Sequence, residues 1–281
     1  MAEAPTPPTI ERSDVHTVDD ERFSRENVCL VTGAASGIGR AVALVAAVNG
    51  LTVVATDVDG DGLDGTAARA AELDAEGTVE TVTADLRIDG EMDDLVETAA
   101  GRGKLRFLAN VAGLQHVDPI DEFPMERYDA IQDVMVRAPT YLAKRCMPHL
   151  REAGGCVGNM ASVHGHYVTS DKVAYNVAKF GIRGLTQSIA AEGDGDVRSF
   201  SVSTGYVKTP LVTGQIPDTA AQRGISEREV VEDVMLGQSR STEMMDPVDV
   251  GNLFLVGFSH LGAHLNGGDL LFDGGMTLTY E

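Results

Sequence analysis

The strongest constraint on the fold of this chain is a short apolar run that leads directly into a glycine-rich turn and then into an apolar helix. The run is Asn27–Thr32, the turn carries Gly33, Gly37 and Gly39, and the helical pattern continues over residues 40–48. In such units the first glycine permits a tight turn, the second lets the backbone approach a pyrophosphate, and the third lets the helix lie close to the sheet. The free N–H groups at the helix N-terminus then bind phosphate. The spacing is GxxxGxG rather than GxGxxG, and it predicts the opening of a dinucleotide-binding fold, with a purely structural turn as the alternative.

The rest of the chain repeats this order of strand and helix. Short apolar runs alternate with helical patterns of about a dozen residues, which is typical of βαβ units and a parallel sheet. We therefore predict an α/β fold: a single doubly wound Rossmann-type domain with a seven-stranded parallel sheet flanked by helices. The further strands are predicted at 51–56, 78–84, 105–109, 155–161, 197–203 and 270–272. The further helices are predicted at 61–75, 88–100, 127–151 with an interruption near Pro139, 172–192 and 247–258.

Two segments fall outside this pattern. Residues 1–26 are rich in Pro, Asp, Glu, Arg and Thr and show no periodicity, so we predict a mobile tail ahead of a domain that spans residues 27–281. Residues 205–240 form a long polar stretch with few core positions. Such a stretch is too long for a plain connection and predicts a substrate lid.

The balance of charge restricts the partners. The formal net charge is −21, from 43 acidic and 22 basic residues, of which five are lysines. This excess of negative charge argues against nucleic acids and anionic membranes. No apolar run approaches the length of a membrane span and no signal peptide is evident, so we expect a cytoplasmic protein. An acidic, lysine-poor surface also suggests adaptation to a cytosol of high salt, where repulsion is screened; an ordinary acidic cytosolic protein is the alternative.

The pattern of cysteines predicts a structural role in the core rather than a role in disulfides or catalysis. Cys29, Cys146 and Cys156 are odd in number, and each lies in an apolar setting. This pattern predicts buried free thiols in a reducing compartment. No cluster of cysteine and histidine has metal-site spacing, so no metal is expected.

An acidic residue ends the second predicted strand. Asp57 lies about twenty residues beyond the glycine turn, where a carboxylate can accept a hydrogen bond from the ribose 2′-hydroxyl. A carboxylate there repels a 2′-phosphate, so the sequence favours NAD over NADP. A loop-capping aspartate is the structural alternative.

A tyrosine and a lysine lie four residues apart on a predicted helix. Tyr175 and Lys179 therefore share a helix face, which brings the ammonium close to the phenol. A nearby positive charge favours the phenolate, so we predict a lowered pKa for Tyr175 and a role in proton transfer. Ser162 follows the fifth predicted strand, from which its hydroxyl can point back at the tyrosine. A surface helix that happens to carry YxxxK is the structural alternative for this spacing alone.

Taken together, these motifs resemble the short-chain dehydrogenase/reductase family from about residue 27 to the C-terminus. Within that family the chain is most similar to the D-3-hydroxybutyrate dehydrogenases. The family motifs are TGAASGIG at 32–39, Asp85, NVAG at 110–113, Ser162, YNVAK at 175–179 and the late DGG at 273–275. The closer resemblance rests on AGLQHVDPIDEFP at 112–124, ASVHGH at 161–166, Lys172 before AY, and KTPLVTGQI at 208–216.

The resemblance implies roles for individual residues. It implies NAD as the cofactor, a short hydroxy acid as the substrate, and (R)-3-hydroxybutyrate giving acetoacetate as the reaction. The implied catalytic residues are Ser162, Tyr175 as general base, and Lys179. The implied cofactor ligands are Gly33, Ser36, Gly37, Ile38, Gly39, Asp57, Asp85, Leu86, Asn110, Tyr175, Lys179, Val207 and Thr209. The implied ligands of the substrate carboxylate are Gln115, His164, Lys172 and Gln215. The family also implies a homotetramer built on the two long helices and the C-terminal strand.

The chain departs from the family pattern at several places. Met135 falls where the family has a catalytic asparagine that supports a proton-relay water. The usual NNAG reads NVAG, and Thr204-Gly205 replaces a Pro-Gly pair. Tyr206 and Met276 stand where this subfamily usually has tryptophan, which affects the methyl pocket. A reductase for another 3-oxo acid or thioester, and a catalytically silent NAD-binding protein, therefore remain alternative functions.

Overall fold

In the computed structural model, which describes residues 6–278, seven parallel strands form one sheet in the order β3-β2-β1-β4-β5-β6-β7. This is the predicted α/β architecture, with the order reversing between β1 and β4. The strands are β1 Asn27–Thr32, β2 Thr52–Asp57, β3 Thr78–Thr83, β4 Lys104–Asn110, β5 Cys156–Met160, β6 Arg198–Thr204 and β7 Gly268–Phe272. The helices that flank the sheet are α1 Gly37–Val48, α2 Gly60–Glu72, α3 Asp89–Gly101, α4 Met125–Gln132, α5 Ala138–Ala153, α6 Val173–Glu192 and, late in the chain, Pro247–Phe258.

Strand β1, inside the sheet, is buried along its whole length because helices cover both faces. On one face, α1 and the helix Pro247–Phe258 pack against Phe107, Phe200 and their neighbours. On the other face, α3, α5 and α6 pack against residues such as Leu30 and Leu108. Because all strands run in the same direction, their carboxyl ends meet along one edge of the sheet, and the residues predicted to be functional follow those ends.

The long helix predicted over 127–151 is divided by a single π-helical turn. The turn spans Asp133–Arg137 and separates α4 from α5, so the interruption lies just ahead of Pro139, which occupies the first turn of α5. A proline has no N–H to donate and fits the first turn of a helix. The π-helical turn places Met135 towards the carboxyl edge of the sheet, where it lines the cleft described below.

The described part of the N-terminal segment, residues 6–26, is docked on the domain. Ile10 and Val15 are buried in a cluster with side chains of α1 and of the helix Pro247–Phe258. The backbone of His16 is held from both sides: its N–H donates to Oδ1 of Asn252 at 3.0 Å, and its carbonyl accepts from Nδ2 of Asn49 at 2.9 Å.

This arrangement corrects the mobile tail predicted for residues 1–26, of which 1–5 lie outside the described residues. The composition is polar, yet Ile10 and Val15 are buried against the domain, and Val18 and Phe23 pack beside them. Its backbone polar groups are satisfied by asparagines that lie on distant helices. A pattern within the segment itself cannot reveal such partners.

The region predicted as a lid, residues 205–240, consists of short helical pieces with a core of their own. The pieces are α7 Pro210–Thr213, α8 Ile216–Arg223, α9 Glu227–Glu229 and a π-helical turn Val230–Met235; the helix Pro247–Phe258 is therefore α10. Ile216, Ala220 and Val230 are buried together, and Tyr206 packs against them. The prediction of few core positions underestimated this small cluster, because its apolar residues are spread over several short elements.

Two further sequence expectations bear on the interior. Cys29, Cys146 and Cys156 are all buried free thiols, as predicted, and burial raises the pKa of each. Across residues 6–278 we find no helix whose length and apolar character would let it cross a membrane.

Candidate active site

Ser162 is held at the end of β5 by the turn that follows it. The serine begins a 3-10 turn, Val163–Gly165, and its Oγ accepts the N–H of His164 at 3.2 Å. The imidazole Nδ1 of His164 lies 3.3 Å from the same Oγ, and its Nε2 lies 3.0 Å from Oγ1 of Thr169. These contacts fix both side chains at the edge of the sheet where the substrate is expected.

Tyr175 and Lys179 lie on the first two turns of α6, beside Ser162. The Lys179 Nζ is 5.3 Å from the centroid of the Tyr175 ring, and it donates a hydrogen bond to the carbonyl oxygen of Met160 at 2.7 Å. The imidazole of His164 meets the tyrosine ring edge to face, with centroids 5.6 Å apart. The structure therefore brings together the three residues that the sequence predicts to be catalytic.

The electrostatics of this cluster correct one prediction. We predicted that Lys179 lowers the pKa of Tyr175, whereas burial raises the pKa of that phenol, opposed by a hydrogen bond with Ser162. Burial also lowers the pKa of Lys179 to about 7, so its ammonium is partly deprotonated near neutrality. A buried site disfavours the charged form of both groups.

His164 is electrically neutral in this environment. Burial, together with the charges of Lys172 and Lys179, lowers its pKa to about 4. A neutral imidazole has one donor and one acceptor nitrogen. Both ring nitrogens already contact Ser162 or Thr169, so His164 donates a hydrogen bond to a carboxylate only in exchange for one of these contacts, and it supplies no formal charge to hold one.

A cleft of about 550 Å³ opens at the carboxyl edge of the sheet, beside the catalytic cluster. This volume is in the range of small-molecule and cofactor sites. Every predicted cofactor ligand except Asn110 lines the cleft. They are Gly33, Ser36, Gly37, Ile38, Gly39, Asp57, Asp85, Leu86, Tyr175, Lys179, Val207 and Thr209, and Ser162 lines it as well.

The glycine turn lets a ligand approach the backbone closely. A Cβ on Gly33 would lie 2.7 Å from the Cα of Ala112, and one on Gly39 would lie 2.0 Å from the carbonyl oxygen of Gly33. Gly33 also has a φ of +69°, in the left-handed region. The backbone therefore enters the cleft bare of side chains, at the N-terminus of α1, as a pyrophosphate requires.

Asp57 and Asp85 lie on the side of the cleft formed by β2 and β3. One carboxylate oxygen of Asp57 accepts the N–H of Ala35 at 3.2 Å, which fixes the carboxylate beside the glycine turn. Asp85 is paired with Arg87 at 2.5 Å, and this pairing lowers the pKa of Asp85. These residues fit the ribose and adenine end of a dinucleotide, so the cleft as a whole fits NAD or NADP.

Asn110 does not line the cleft. Its Nδ2 donates to Oδ1 of Asn159 at 2.8 Å, and Asn159 in turn donates to Thr186 at 3.0 Å. The side chain therefore ties β4 to β5 and α6 from within the sheet. The cofactor contact predicted for Asn110 stays a prediction.

The predicted substrate ligands differ in where they point. Nε2 of Gln115 is buried without a hydrogen-bond partner, so its capacity to donate is unused. Lys172 is half-buried, with its Nζ 6.0 Å from the centroid of the Tyr206 ring. Gln215, by contrast, donates its amide N–H to the carbonyl of Leu211 within the lid.

Met135, near which the family asparagine is predicted to fall, lies in the π-helical turn and lines the cleft. Its side chain is buried, and its Sδ accepts the N–H of Leu114 at 3.4 Å. A thioether is a weak acceptor and cannot donate, so it cannot replace an amide in a proton relay.

Sequence reasoning missed residues that contribute at the rim of the site. Arg223, at the end of α8, lies near enough to Lys172 and Tyr206 for its charge to influence both. Tyr167 packs against His164 with ring centroids 5.7 Å apart. No local signal marks either residue, because each is brought to the site by a loop or a lid helix.

Comparison with known proteins agrees with this geometry. The family model for short-chain dehydrogenases, described as enoyl-(acyl carrier protein) reductase, matches residues 33–277. The chain belongs to the short-chain dehydrogenase/reductase family. It is 35% identical over 252 residues to the D-beta-hydroxybutyrate dehydrogenase of Rhizobium meliloti, in an alignment that covers 88% of this chain and 97% of that protein.

Solved structures show the same fold. Levodione reductase superposes with a TM-score of 0.85 at 25% identity, covering 92% of this chain and 100% of that one. A protein from Beutenbergia cavernae, provisionally described as an NAD(P)-dependent gluconate 5-dehydrogenase, has NADP bound at low occupancy. It superposes with a TM-score of 0.80 at 27% identity, over 92% of this chain and 99% of that one. The protein is therefore an NAD(P)-dependent oxidoreductase by family.

Proposed function

We propose that the protein is an NAD-dependent dehydrogenase that interconverts (R)-3-hydroxybutyrate and acetoacetate. One observation supports the acid specificity above the others: two of the donors that the family resemblance implies for the substrate carboxylate have no partner in the described structure. Lys172 forms no ion pair among residues 6–278, and Nε2 of Gln115 is buried and unpaired. Leaving buried donors unsatisfied is costly unless a ligand completes them, and a short carboxylate is such a ligand. The identity to the Rhizobium enzyme supports the same substrate.

The proposed roles follow from the positions of the side chains. The nicotinamide, when bound, supplies or accepts the hydride at the carbinol carbon. Tyr175 gives a proton to the carbonyl oxygen during reduction and takes it back during oxidation. Ser162 donates a hydrogen bond to the same oxygen. Lys172, Gln115 and neutral His164 hold the carboxylate, which fixes the reacting carbon beside the phenol.

The proposal of NAD rather than NADP rests on the charges around Asp57. Its carboxylate faces the cleft and would repel a 2′-phosphate. Two nearby arginines are already engaged: Arg40 donates to Gly62 and Thr66, each at 3.0 Å, and Arg87 is paired with Asp85. No other cation lines the cleft within residues 6–278 apart from Lys179, which belongs to the catalytic cluster.

A panel assay tests this function directly. Purified protein is mixed with NAD⁺ or NADP⁺ and with (R)-3-hydroxybutyrate, its S enantiomer, or a 3-hydroxybutyryl thioester, at low and molar KCl, and NADH or NADPH absorbance is followed. We expect kcat/KM for the R acid to exceed kcat/KM for the thioester by about tenfold or more. We also expect kcat/KM with NAD⁺ to exceed kcat/KM with NADP⁺ by about tenfold or more.

Other outcomes of the same assay identify the alternatives. A preference for the thioester would favour the acyl reductase function that the family model's description suggests. No turnover with any acid, combined with clear NADH binding, would favour a silent binder. A preference for NADP⁺ would contradict the role given to Asp57.

We also propose that the chain assembles into a homotetramer through α6 and the edge strand β7. Val177 and Phe180 are exposed on α6, and Leu271 and Phe272 are exposed on β7. Exposed apolar side chains on an unpaired strand edge favour association with another copy.

The assembly is tested by measuring the molar mass in solution by light scattering. We expect a tetramer for the wild type and a smaller species for Phe180→Glu. Leu261→Glu, which places the same charge at an exposed apolar site outside α6 and β7, should leave the mass unchanged. A monomeric wild type at micromolar concentration would contradict the assembly.

A further inference from the structure

Two cations that form no ion pair, the half-buried Lys172 and the exposed Arg223, lie close enough at the substrate side of the site for the charge of one to influence the other. Neither Lys172 nor Arg223 forms an ion pair with any residue between 6 and 278. The chain carries 43 acidic residues against 22 basic ones, so carboxylates are plentiful. Two neighbouring cations without an acidic partner in such a protein indicate a place where an external anion binds.

The position of Arg223 follows from the helix that carries it. Ile216 and Ala220 are the buried residues of α8, and Arg223 is seven and three residues further along, so all three lie on one helix face. That face packs against Tyr206. Lys172 approaches the same tyrosine ring, with its Nζ 6.0 Å from the centroid. Lys172, from the start of α6, and Arg223, from the lid, therefore both lie near Tyr206, with the Arg223 side chain exposed to solvent.

The donor that the family resemblance implied for the lid does not reach this place. Gln215 precedes α8, and its side-chain N–H groups are directed at the carbonyl of Leu211, one turn back in the lid. An amide engaged in this way is a poorer ligand than a guanidinium with five unpaired donors.

We propose that Arg223, rather than Gln215, is the lid residue that binds the carboxylate of the substrate, opposite Lys172. The proposal rests on the proposed function in that it assumes an anionic substrate at this site. The planar guanidinium pairs with a carboxylate through two parallel hydrogen bonds, so it fixes the orientation of the acid as well as its charge. The same contact ties α8 to the substrate and couples binding to the position of the lid.

The electrostatics agree with this arrangement. Burial first, and then the charge of Arg223, lower the pKa of Lys172. Burial raises the pKa of Tyr206 to about 12, and Arg223 opposes that rise. A carboxylate bound between the two cations relieves their repulsion, because it is attracted to both.

The test compares charge-neutral lid variants with two substrates. Arg223→Gln should raise KM for (R)-3-hydroxybutyrate about tenfold or more, with kcat changed less than about threefold, because the contact is made equally before and during reaction. KM for the uncharged methyl ester should not change. Arg223→Lys should recover part of the loss. Gln215→Ala should have a smaller effect on the acid than Arg223→Gln.

The matched control is Arg228→Gln, which removes the same charge from the lid where Arg228 is exposed and paired with Glu232. This variant should leave KM for the acid unchanged. If Arg228→Gln raised KM as much as Arg223→Gln, the rise would come from losing any positive charge on the lid rather than a specific contact, and the proposal would be wrong. A larger effect of Gln215→Ala than of Arg223→Gln would also contradict it.

A binding measurement separates this proposal from the proposed function. Butyrate has the carboxylate but no hydroxyl, so it binds without reacting, and its dissociation constant is measured by calorimetry in the presence of NADH. We expect Arg223→Gln to raise the dissociation constant of butyrate by about tenfold or more and Arg228→Gln to leave it unchanged. If no hydroxy acid is turned over but this pattern holds, the dehydrogenase function fails while the carboxylate site stands. If turnover is normal and butyrate binds both variants as tightly as the wild type, the role of Arg223 fails.

Discussion

Phenylalanine at position 175 should remove nearly all turnover, by about a thousandfold or more in kcat, while leaving cofactor binding and folding intact. The substitution deletes only the hydroxyl that exchanges a proton with the substrate oxygen. The ring itself remains to pack against His164, whose centroid is 5.6 Å away. Turnover is measured with the acid that the panel assay selects, NADH binding by fluorescence titration, and stability by thermal unfolding.

The matched control is Tyr167→Phe, because Tyr167 packs against the same imidazole from another direction. We expect that variant to lose less than about tenfold in kcat, since its hydroxyl takes no part in the proposed proton transfer. If Tyr175→Phe retained more than about a tenth of wild-type turnover, the assignment of Tyr175 as the acid/base would be wrong.

The same phenol predicts opposite pH profiles for the two directions of the reaction. Because burial raises its pKa, Tyr175 carries its proton at neutral pH and is ready to protonate a carbonyl. Oxidation of the hydroxy acid needs the deprotonated form, so its rate should rise with pH through the alkaline range. The rate of reduction of the oxo acid should fall over the same pH range. Initial rates in both directions between about pH 6 and pH 10 check this expectation.

The catalytic cluster could be predicted from sequence because its geometry is local or follows from a parallel sheet. The spacing of Tyr175 and Lys179 fixes a shared helix face, and Ser162 follows a strand whose carboxyl end must lie at the same edge. Gly33 and Asp57 were predictable for the same reason, since each follows or ends a strand of the opening βαβ unit.

Other features depend on tertiary partners that no local pattern records. Asn110 matches a family motif, but its side chain binds Asn159 within the sheet rather than the cleft. The N-terminal segment has a polar composition, yet Asn49 and Asn252 capture its backbone. Arg223 lies in a polar stretch without periodicity, so only the packing of α8 on the lid core shows which way it faces.

The direction of the Tyr175 pKa also required the structure. Sequence spacing places a cation beside the phenol, which by itself lowers a phenol's pKa. Spacing does not reveal that both groups are withdrawn from water. Burial of Lys179 lowers the pKa of its ammonium and so diminishes the positive charge beside the Tyr175 phenol. The catalytic lysine therefore has a cost to the fold, and that cost can be measured.

Replacing Lys179 by methionine should abolish most turnover and at the same time stabilise the fold near neutral pH. Burial lowers the pKa of Lys179 from its ordinary 10.5 to about 7. At about 1.4 kcal/mol for each pKa unit, keeping this side chain buried costs roughly 5 kcal/mol when it is fully charged. Methionine fills a similar volume without a charge. It also leaves the carbonyl of Met160 without the 2.7 Å hydrogen bond, which costs about 1–3 kcal/mol and reduces the net gain.

The sign of the pH dependence follows from the two pKa values. Below about pH 7 the lysine is charged in both the folded and the unfolded chain, so the full cost of burial is present. Between about pH 7 and pH 10.5 the unfolded chain binds more protons than the folded one, so the wild type gains stability as pH rises. Above that range the side chain is neutral in both states and the cost disappears. The advantage of Lys179→Met over the wild type should therefore shrink by about 2 kcal/mol between pH 7 and pH 9.

Urea unfolding of both proteins at the two pH values measures this difference, since the other titrating groups are common to both and cancel. Lys144→Met is the control, because Lys144 is exposed on α5 and its charge is solvated in both states. The difference in free energy of unfolding between Lys144→Met and the wild type should be the same at pH 7 and pH 9. A difference between Lys179→Met and wild type that stays constant or widens with pH would show that the ammonium is not buried in the folded protein. In that case Lys179 would carry its full charge beside Tyr175, and the phenol would regain the cation that the sequence alone predicts for it.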